Sequence, residues 1–189
     1  MRPRQPMQRL AGLLLAAPLA LSGCALLGGN TMYERSYYDG NLPSHQRTDI
    51  QTTHTELTGA LQRVRDRIDA EYGPQNWEAI QTLEDRGTAY CKDGENEGRE
   101  DARKQGRAFG LPIDDFPHLL DIVIEELAPL GFTEVVDISD EKDRWVNIFN
   151  TEDGGYVTVM MPEPARNFSL LYASGCRPET SDSSTSPSQ

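Results

Sequence analysis

Three thiols, three imidazoles and two acidic runs carry most of the reactive side chains of this 189-residue chain. The thiols are Cys24, Cys91 and Cys176, each able in principle to serve as nucleophile, disulfide partner or metal ligand. The imidazoles, His45, His54 and His118, lie far apart in sequence, and none pairs with a nucleophile at a motif spacing. A His-Glu-x-x-His metal pattern, a Gly-x-Ser-x-Gly elbow and a phosphate loop are absent from the sequence. Ser139-Asp140-Glu141-Lys142 has a Ser-x-x-Lys spacing, but it falls in an acidic turn without the companion motifs that such an acyl-transfer site needs at a helix start. Two acidic runs, one at Asp93, Glu95 and Glu97 and one at Asp137, Ser139, Glu141 and Asp143, present alternating oxygens that could meet Ca²⁺. An EF-hand-type loop needs Gly at its sixth position and Glu at its twelfth, and the second run offers Lys142 and Ile148 there. Solvated turns are the expected reading. Arg99, Arg103, Lys104 and Arg107 are interleaved with acids, so a solvated helix is expected there rather than a site for an anionic polymer. No catalytic, cofactor-binding or metal-binding set is expected.

Cys24 differs from the other reactive residues because of what precedes it. Arg2, Arg4 and Arg9 form a basic start, and residues 10–21 form an apolar run of about a dozen residues before Leu21-Ser22-Gly23-Cys24. That run suits a signal-peptide core and falls short of the ~20 residues that span a bilayer. The four residues ending it resemble the bacterial lipobox. The resemblance implies that the Cys24 thiol takes a diacylglyceryl group, that residues 1–23 are removed as a signal peptide, and that the new N-terminus is acylated, with palmitate a typical chain. Two or three acyl chains hold a protein on a membrane where one alone binds marginally.

Removal of residues 1–23 takes three Arg from the 18 basic side chains and leaves 15 against 30 acidic ones, so the net charge moves from −12 to −15. Such a surface repels nucleic acid and anionic head groups, which excludes nucleic acid as a partner and leaves membrane residence to the lipid. With Cys24 used, Cys91 and Cys176 remain as an even pair in an exported chain, where disulfides persist. A bridge between them is expected, the alternative being two separate buried thiols; neither has a His or second Cys close by to make a metal site.

The elements that would position these residues can be placed by period and punctuation. Residues 24–48, broken by Gly28, Gly29, Gly40 and Pro43, read as the lipidated Cys and its tether; Tyr33, Tyr37 and Tyr38 stand out in it. Thr53 and Glu56 have capping-box spacing, and Leu57, Leu61, Val64 and Ile68 follow on one helix face, stopped by Gly73-Pro74. Residues 77–83 and 88–91 are short strand candidates, and 92–105, almost wholly charged, reads as a loop or solvated helix. Asp115 is placed to cap a helix over 116–130 with Pro117 in its first turn and Gly131 beyond its end. Phe116, Leu119, Leu120, Val123 and Leu127 make its apolar stripe, with Ile122 and Ile124 widening it. Residues 132–138, 144–150, 156–161 and 168–173 read as strands, with a hairpin signal at Asp153-Gly154-Gly155. Val157, Val159 and Met161 share a face, and whether Trp145 or Val146 joins them depends on that turn. Residues 179–189, rich in Ser, Thr and Pro, read as a disordered tail.

Pro74-Gln75 with Trp77, Cys91 at a strand end, Asp115-Phe116, Gly131 and Ser174-Gly175-Cys176 occur in this order. The arrangement resembles the LppA-like lipoproteins of actinobacterial cell envelopes. The resemblance implies a lipid-anchored α+β domain with a disulfide and supplies no catalytic residues. The expected fold over 49–178 is a two-layer α+β domain, with an antiparallel sheet of four to six strands carrying two helices on one face and Cys91 tied to Cys176 on the last strand. The expected function is a non-enzymatic interaction domain held on the extracytoplasmic face of the bacterial cell membrane. An envelope protein is the expected partner. The alternative is a small carrier of lipid or apolar ligand with a cavity between the 116–130 helix and the sheet.

Overall fold

The computed structural model describes residues 40–179, apart from residues 83, 86, 94 and 95. Cys24, Tyr33, Tyr37, Tyr38 and the tail from residue 180 onward lie outside the described residues. Two helices, α1 (Ile50–Tyr72) and α2 (Phe116–Leu127), share one face of a six-stranded sheet. The strands are β1 (Glu78–Ile80), β4 (Ala102–Phe109), β5 (Glu134–Asp137), β6 (Asp143–Phe149), β7 (Tyr156–Pro162) and β8 (Asn167–Ala173), in the order β1-β4-β8-β7-β6-β5. Every neighbouring pair is antiparallel. A separate hairpin of β2 (Ala89–Asp93) and β3 (Asn96–Glu100) completes the domain. The expected α+β class, strand number and helix count all stand.

Helix α1 begins three residues before the Thr53 capping box expected from the sequence. Asp49 is the N-cap, and its Oδ1 accepts from Gln51 N and Thr52 N at 3.0 Å each, which satisfies two of the donors a helix start leaves open. Thr53 and Glu56 therefore lie inside the helix. At the other end Gly73 takes φ 85°, as its position promised. The start of α2 also differs from expectation. Asp115 precedes it but makes no side-chain cap bond; burial first, and then the nearby Asp115 carboxylate, raise the pKa of the Tyr72 phenol at the end of α1. The last expected turn of α2, Ala128–Leu130, is a 3-10 turn closed by Gly131 in the left-handed region.

The segment 92–105 is neither loop nor helix. Its described residues form the end of β2, all of β3 and the first half of β4, and β4 is an interior strand paired with β1 and β8. Its inward residues include Arg103 and Gln105, both buried, and a register shift between Lys104 and Gly106 breaks the alternation. Polar inward residues plus a bulge leave no period of two to detect.

On the other strands the alternation is clean. Val146 stands opposite Val159 and Ile148 opposite Val157, so Val146 joins the inner face and Trp145 the outer. Ala108, Val146, Ile148, Val157, Val159, Met161, Phe168 and Leu170 meet Leu57, Leu61, Val64 and Ile68 of α1 and Phe116, Leu119, Val123 and Leu127 of α2 in one core, none more than 4% exposed. The middle of the interface between α2 and the sheet is thus filled, while at the N-terminal end of α2 an open pocket of about 350 Å³ lies among Phe116, Leu120, Asp137 and Arg144. Ile122, which a single stripe leaves out, is 1% exposed. Along α2, His118 and Glu125–Glu126 lie one turn to either side of it and reach Glu71, Arg63 and Arg67 of α1, so Ile122 faces α1.

Cys91 on β2 is bonded to Cys176, 85 residues away. Cys176 lies three residues past β8 rather than on it. A two-way backbone bridge joins Arg99 and Arg177 at 2.8 Å each way, and the chains approach so closely that a Cβ on Gly98 would sit 1.9 Å from Arg177 O. The hairpin has little core of its own, and this clamp holds it.

Two outcomes follow. The double change Cys91→Ala with Cys176→Ala should lower unfolding free energy by about 4–5 kcal/mol on the chain-entropy model for a loop of this length, read by urea titration. Ile122→Asp should leave no folded protein in thermal melts, because an unpaired carboxylate between α1 and α2 costs several kcal/mol of a total of ~5–15.

Candidate functional site

Asp101, at the junction of β3 and β4, anchors a buried polar network. Arg103 Nε lies 2.8 Å from its Oδ2 and 2.7 Å from Oδ1, with both side chains at 1% exposure or less. The N–H points at Oδ2, so Oδ1 is held by charge without a directed bond. The Tyr172 phenol of β8 donates to Oδ2. His54 Nδ1, from the second turn of α1, lies 3.0 Å from the same oxygen and 2.5 Å from the phenol oxygen. Behind the carboxylate, Asp101 N donates to Ser174 Oγ and Ser174 N to Asp101 O, both at 2.8 Å. A carboxylate can only accept, so His54 carries a proton on Nδ1. Burial first, and then the bond to Asp101, pushes the Tyr172 phenol well above its ordinary value.

His54 also borders an open cleft of about 370 Å³ between α1 and the β1 edge. Arg65 crosses its base, donating from Nη1 to Gln105 O and from Nη2 to Gln62 Oε1, and burial holds its guanidinium below the usual value. Arg103 Nη1 donates to Thr82 O on the far wall. The hydroxyls nearest His54 give their protons to their own helix: Thr55 Oγ1 to Gln51 O at 2.9 Å and Thr58 Oγ1 to His54 O at 2.7 Å. The arrangement orients an imidazole without aligning a Ser, Thr or Cys nucleophile on it.

A second polar lock closes the end of the domain where the chain enters. Arg47 donates to Leu42 O at 2.6 Å and to Cys176 O at 2.9 Å. Arg177 is buried among Ser174 O, Gly154 O (2.7 Å each) and Asp153 Oδ2 (2.8 Å), and burial lowers its pKa despite that carboxylate. Asn41 N and Leu42 N bond Thr151 O and Glu152 O. Residues 40–48, read from sequence as tether, are therefore hydrogen-bonded to the domain.

Of the described residues weighed from sequence as site candidates, His54 and Arg103 enter the network. His45 is exposed beside Gln46, and His118 makes a surface pair with Glu71 at 2.6 Å that raises its pKa. The acidic run at 137–143 spends its oxygens on backbone amides: Asp137 accepts from Ser139 N, Asp140 from Lys142 N and Asp143 N, and Asp143 from Glu163 N. Ser139 Oγ accepts from Trp145 N at 2.9 Å. Arg103 was weighed from sequence only as part of a basic set on a solvated helix, and Asp101, Tyr172, Arg47 and Arg177 were invisible as site residues, because nothing in their spacing marks them as partners.

A family model described as "LppA: Lipoprotein confined to pathogenic Mycobacterium" matches residues 41–179. A crystal structure of a DUF4853 family protein from Actinomyces odontolyticus is similar at TM-score 0.53 and 18% identity, over 74% of each chain. One of the lipoprotein LppA from Mycobacterium tuberculosis is similar at TM-score 0.51 and 19% identity, over 69% of this chain and 78% of that one. At such identities the two structures speak for the fold alone. No curated protein matches the chain.

Asp101→Asn strands the fully buried Arg103 without its charge, and it should cost about 3–5 kcal/mol in urea unfolding. Tyr172 gives a second readout. Its folded pKa is raised, so the fold keeps a proton that the unfolded chain releases near pH ~10. That stabilisation is complete below the unfolded value and is lost as pH rises above it. Stability measured from pH 8 to 11 should fall more steeply for the native chain than for Tyr172→Phe.

Proposed function

The chain belongs to the LppA lipoprotein family, and on that premise we propose that it is a lipid-anchored envelope protein whose domain works by contact with another protein rather than by catalysis. The anchor is the Cys24 thiol, on the extracytoplasmic face of the membrane. Among the described residues no helix is long and apolar enough to cross a bilayer, so on this reading attachment rests on the lipid. From Cys24 to Gly40 is 16 residue steps, a reach of at most about 55 Å when extended.

The observation that carries the reading is the sheet face that bears no helix. One row across it runs from Ile138 and Trp145 through Met160, Ser169 and Arg107 to Glu78. Ile138 is 49% and Trp145 43% exposed, side by side at the β5 edge of the sheet. An apolar row that passes into the basic residues Arg107 and Lys104 fits a partner presenting apolar side chains beside carboxylates. The carrier alternative has weaker support: the middle of the interface between α2 and the sheet is packed, and the pocket of about 350 Å³ at its N-terminal end is open and rimmed by Asp114, Asp137 and Arg144.

Cys24→Ala should abolish fatty-acid labelling and release the chain from the membrane fraction; labelling that persists removes Cys24 as the anchor. A photo-crosslinker at Ile138 should give a discrete adduct in the native host. Trp145→Asp should eliminate that adduct with melting temperature unchanged, and the absence of adducts from positions 138, 145 and 160 would overturn the contact reading.

A further inference from the structure

At the opposite edge of the sheet, the cleft between α1 and β1 has its own chemistry, and we propose that it binds an uncharged, polyhydroxylated ligand, a segment of neutral glycan. Its free volume, about 370 Å³, falls in the ~300–1,000 Å³ range of small-ligand sites. In a chain with 30 acidic side chains, the residues lining this cleft include no Asp or Glu. They are hydroxyls, amides, an imidazole, one arginine and Ile80.

The hydrogen-bonding groups left over are complementary to hydroxyls, which both donate and accept. The network takes up His54 Nδ1 as donor to Asp101, and a hydroxyl can pair with Nε2 whether that nitrogen accepts or donates. Gln81 Oε1 is occupied by Lys104 N at 3.0 Å, so its NH₂ remains to donate. Thr55 gives its proton to Gln51 O and offers oxygen lone pairs. Ile80, 43% exposed, adds an apolar surface for the C–H face of a sugar ring. It follows Ala79, held at φ 58°, a conformation that a non-Gly residue adopts only where its surroundings impose it. Arg65 is the cleft's one cation, and both its Nη groups are engaged within the protein. With a net charge of −12 around it, the cleft disfavours anions. A peptide needs apolar pockets for alternate side chains, where this cleft offers Ile80 alone.

The test is saturation-transfer NMR on the full-length lipoprotein in detergent. The probes are neutral tetrasaccharides of glucose, mannose, galactose and arabinose, a tri-galacturonate and a neutral hexapeptide. At least one neutral tetrasaccharide should bind, and Gln81→Ala and Thr55→Tyr should each weaken it at least tenfold with melting temperature unchanged. Thr55 is an exposed helix position, so its replacement blocks the cleft without entering the core. Silence of all four neutral sugars overturns the proposal. So does binding confined to the tri-galacturonate or to the hexapeptide, or neutral-sugar binding that neither substitution alters.

Discussion

The charge pair of Asp101 and Arg103 decides how this domain can be assembled. Neither group touches solvent, so neither can be exposed or lost alone without several kcal/mol of penalty. Around it close α1 through His54, β8 through Tyr172, the Thr82 carbonyl beyond β1 and the chain past β8 through Ser174. A hydrophobic pair of the same volume would stabilise the fold as well or better. What ions add is direction, because a carboxylate with three donors accepts one placement of each. The pair thereby puts a polar strand in the middle of a sheet that apolar packing alone would assign to the edge.

That is also why the sequence was legible in some regions and opaque in others. From residue 132 onward, inward core positions are Val, Ile, Met, Phe and Leu, with Tyr172 the one polar-tipped exception among the described residues, and the strands, turns and inner face could be read from alternation. In β4 the inward set is Arg103, Gln105 and Ala108, with a bulge among them, and a charged stretch there reads as surface. Burial of Arg103 depends on Asp101, two residues away, and on Tyr172, 69 positions later, so no local window contains the reason. The Thr53–Glu56 pair misled for a different cause. Asp49 offers a better cap a turn earlier, and propensity at the helix start could not rank two competing caps.

The candidate sites were the least legible. His54 was visible as a histidine at a helix start, but the Asp that fixes its proton lies on another element. The cleft beside it is a product of how β1 leans over α1 and has no signature of its own. The two thiols, in contrast, were paired by compartment and number alone, because that inference needs no geometry. The exposed apolar pair at the β5 edge falls between these cases. Trp145 and Ile138 are apolar residues in strands, and only the register with β5 and β7 shows them side by side and uncovered.

The docked entry segment has a mechanical meaning. The proposed lipid fixes one end of the chain in a membrane, so any drag on the domain becomes tension in the strand between Cys24 and Gly40. That tension does not reach α1 first. It meets Asn41 and Leu42 on the 151–152 backbone and then Arg47, whose guanidinium holds the Cys176 carbonyl, itself covalently joined to Cys91. Force is shared among the entry segment, the β6–β7 turn and the β2–β3 hairpin before any core helix is pulled, much as a cable clamp spares the joint behind it.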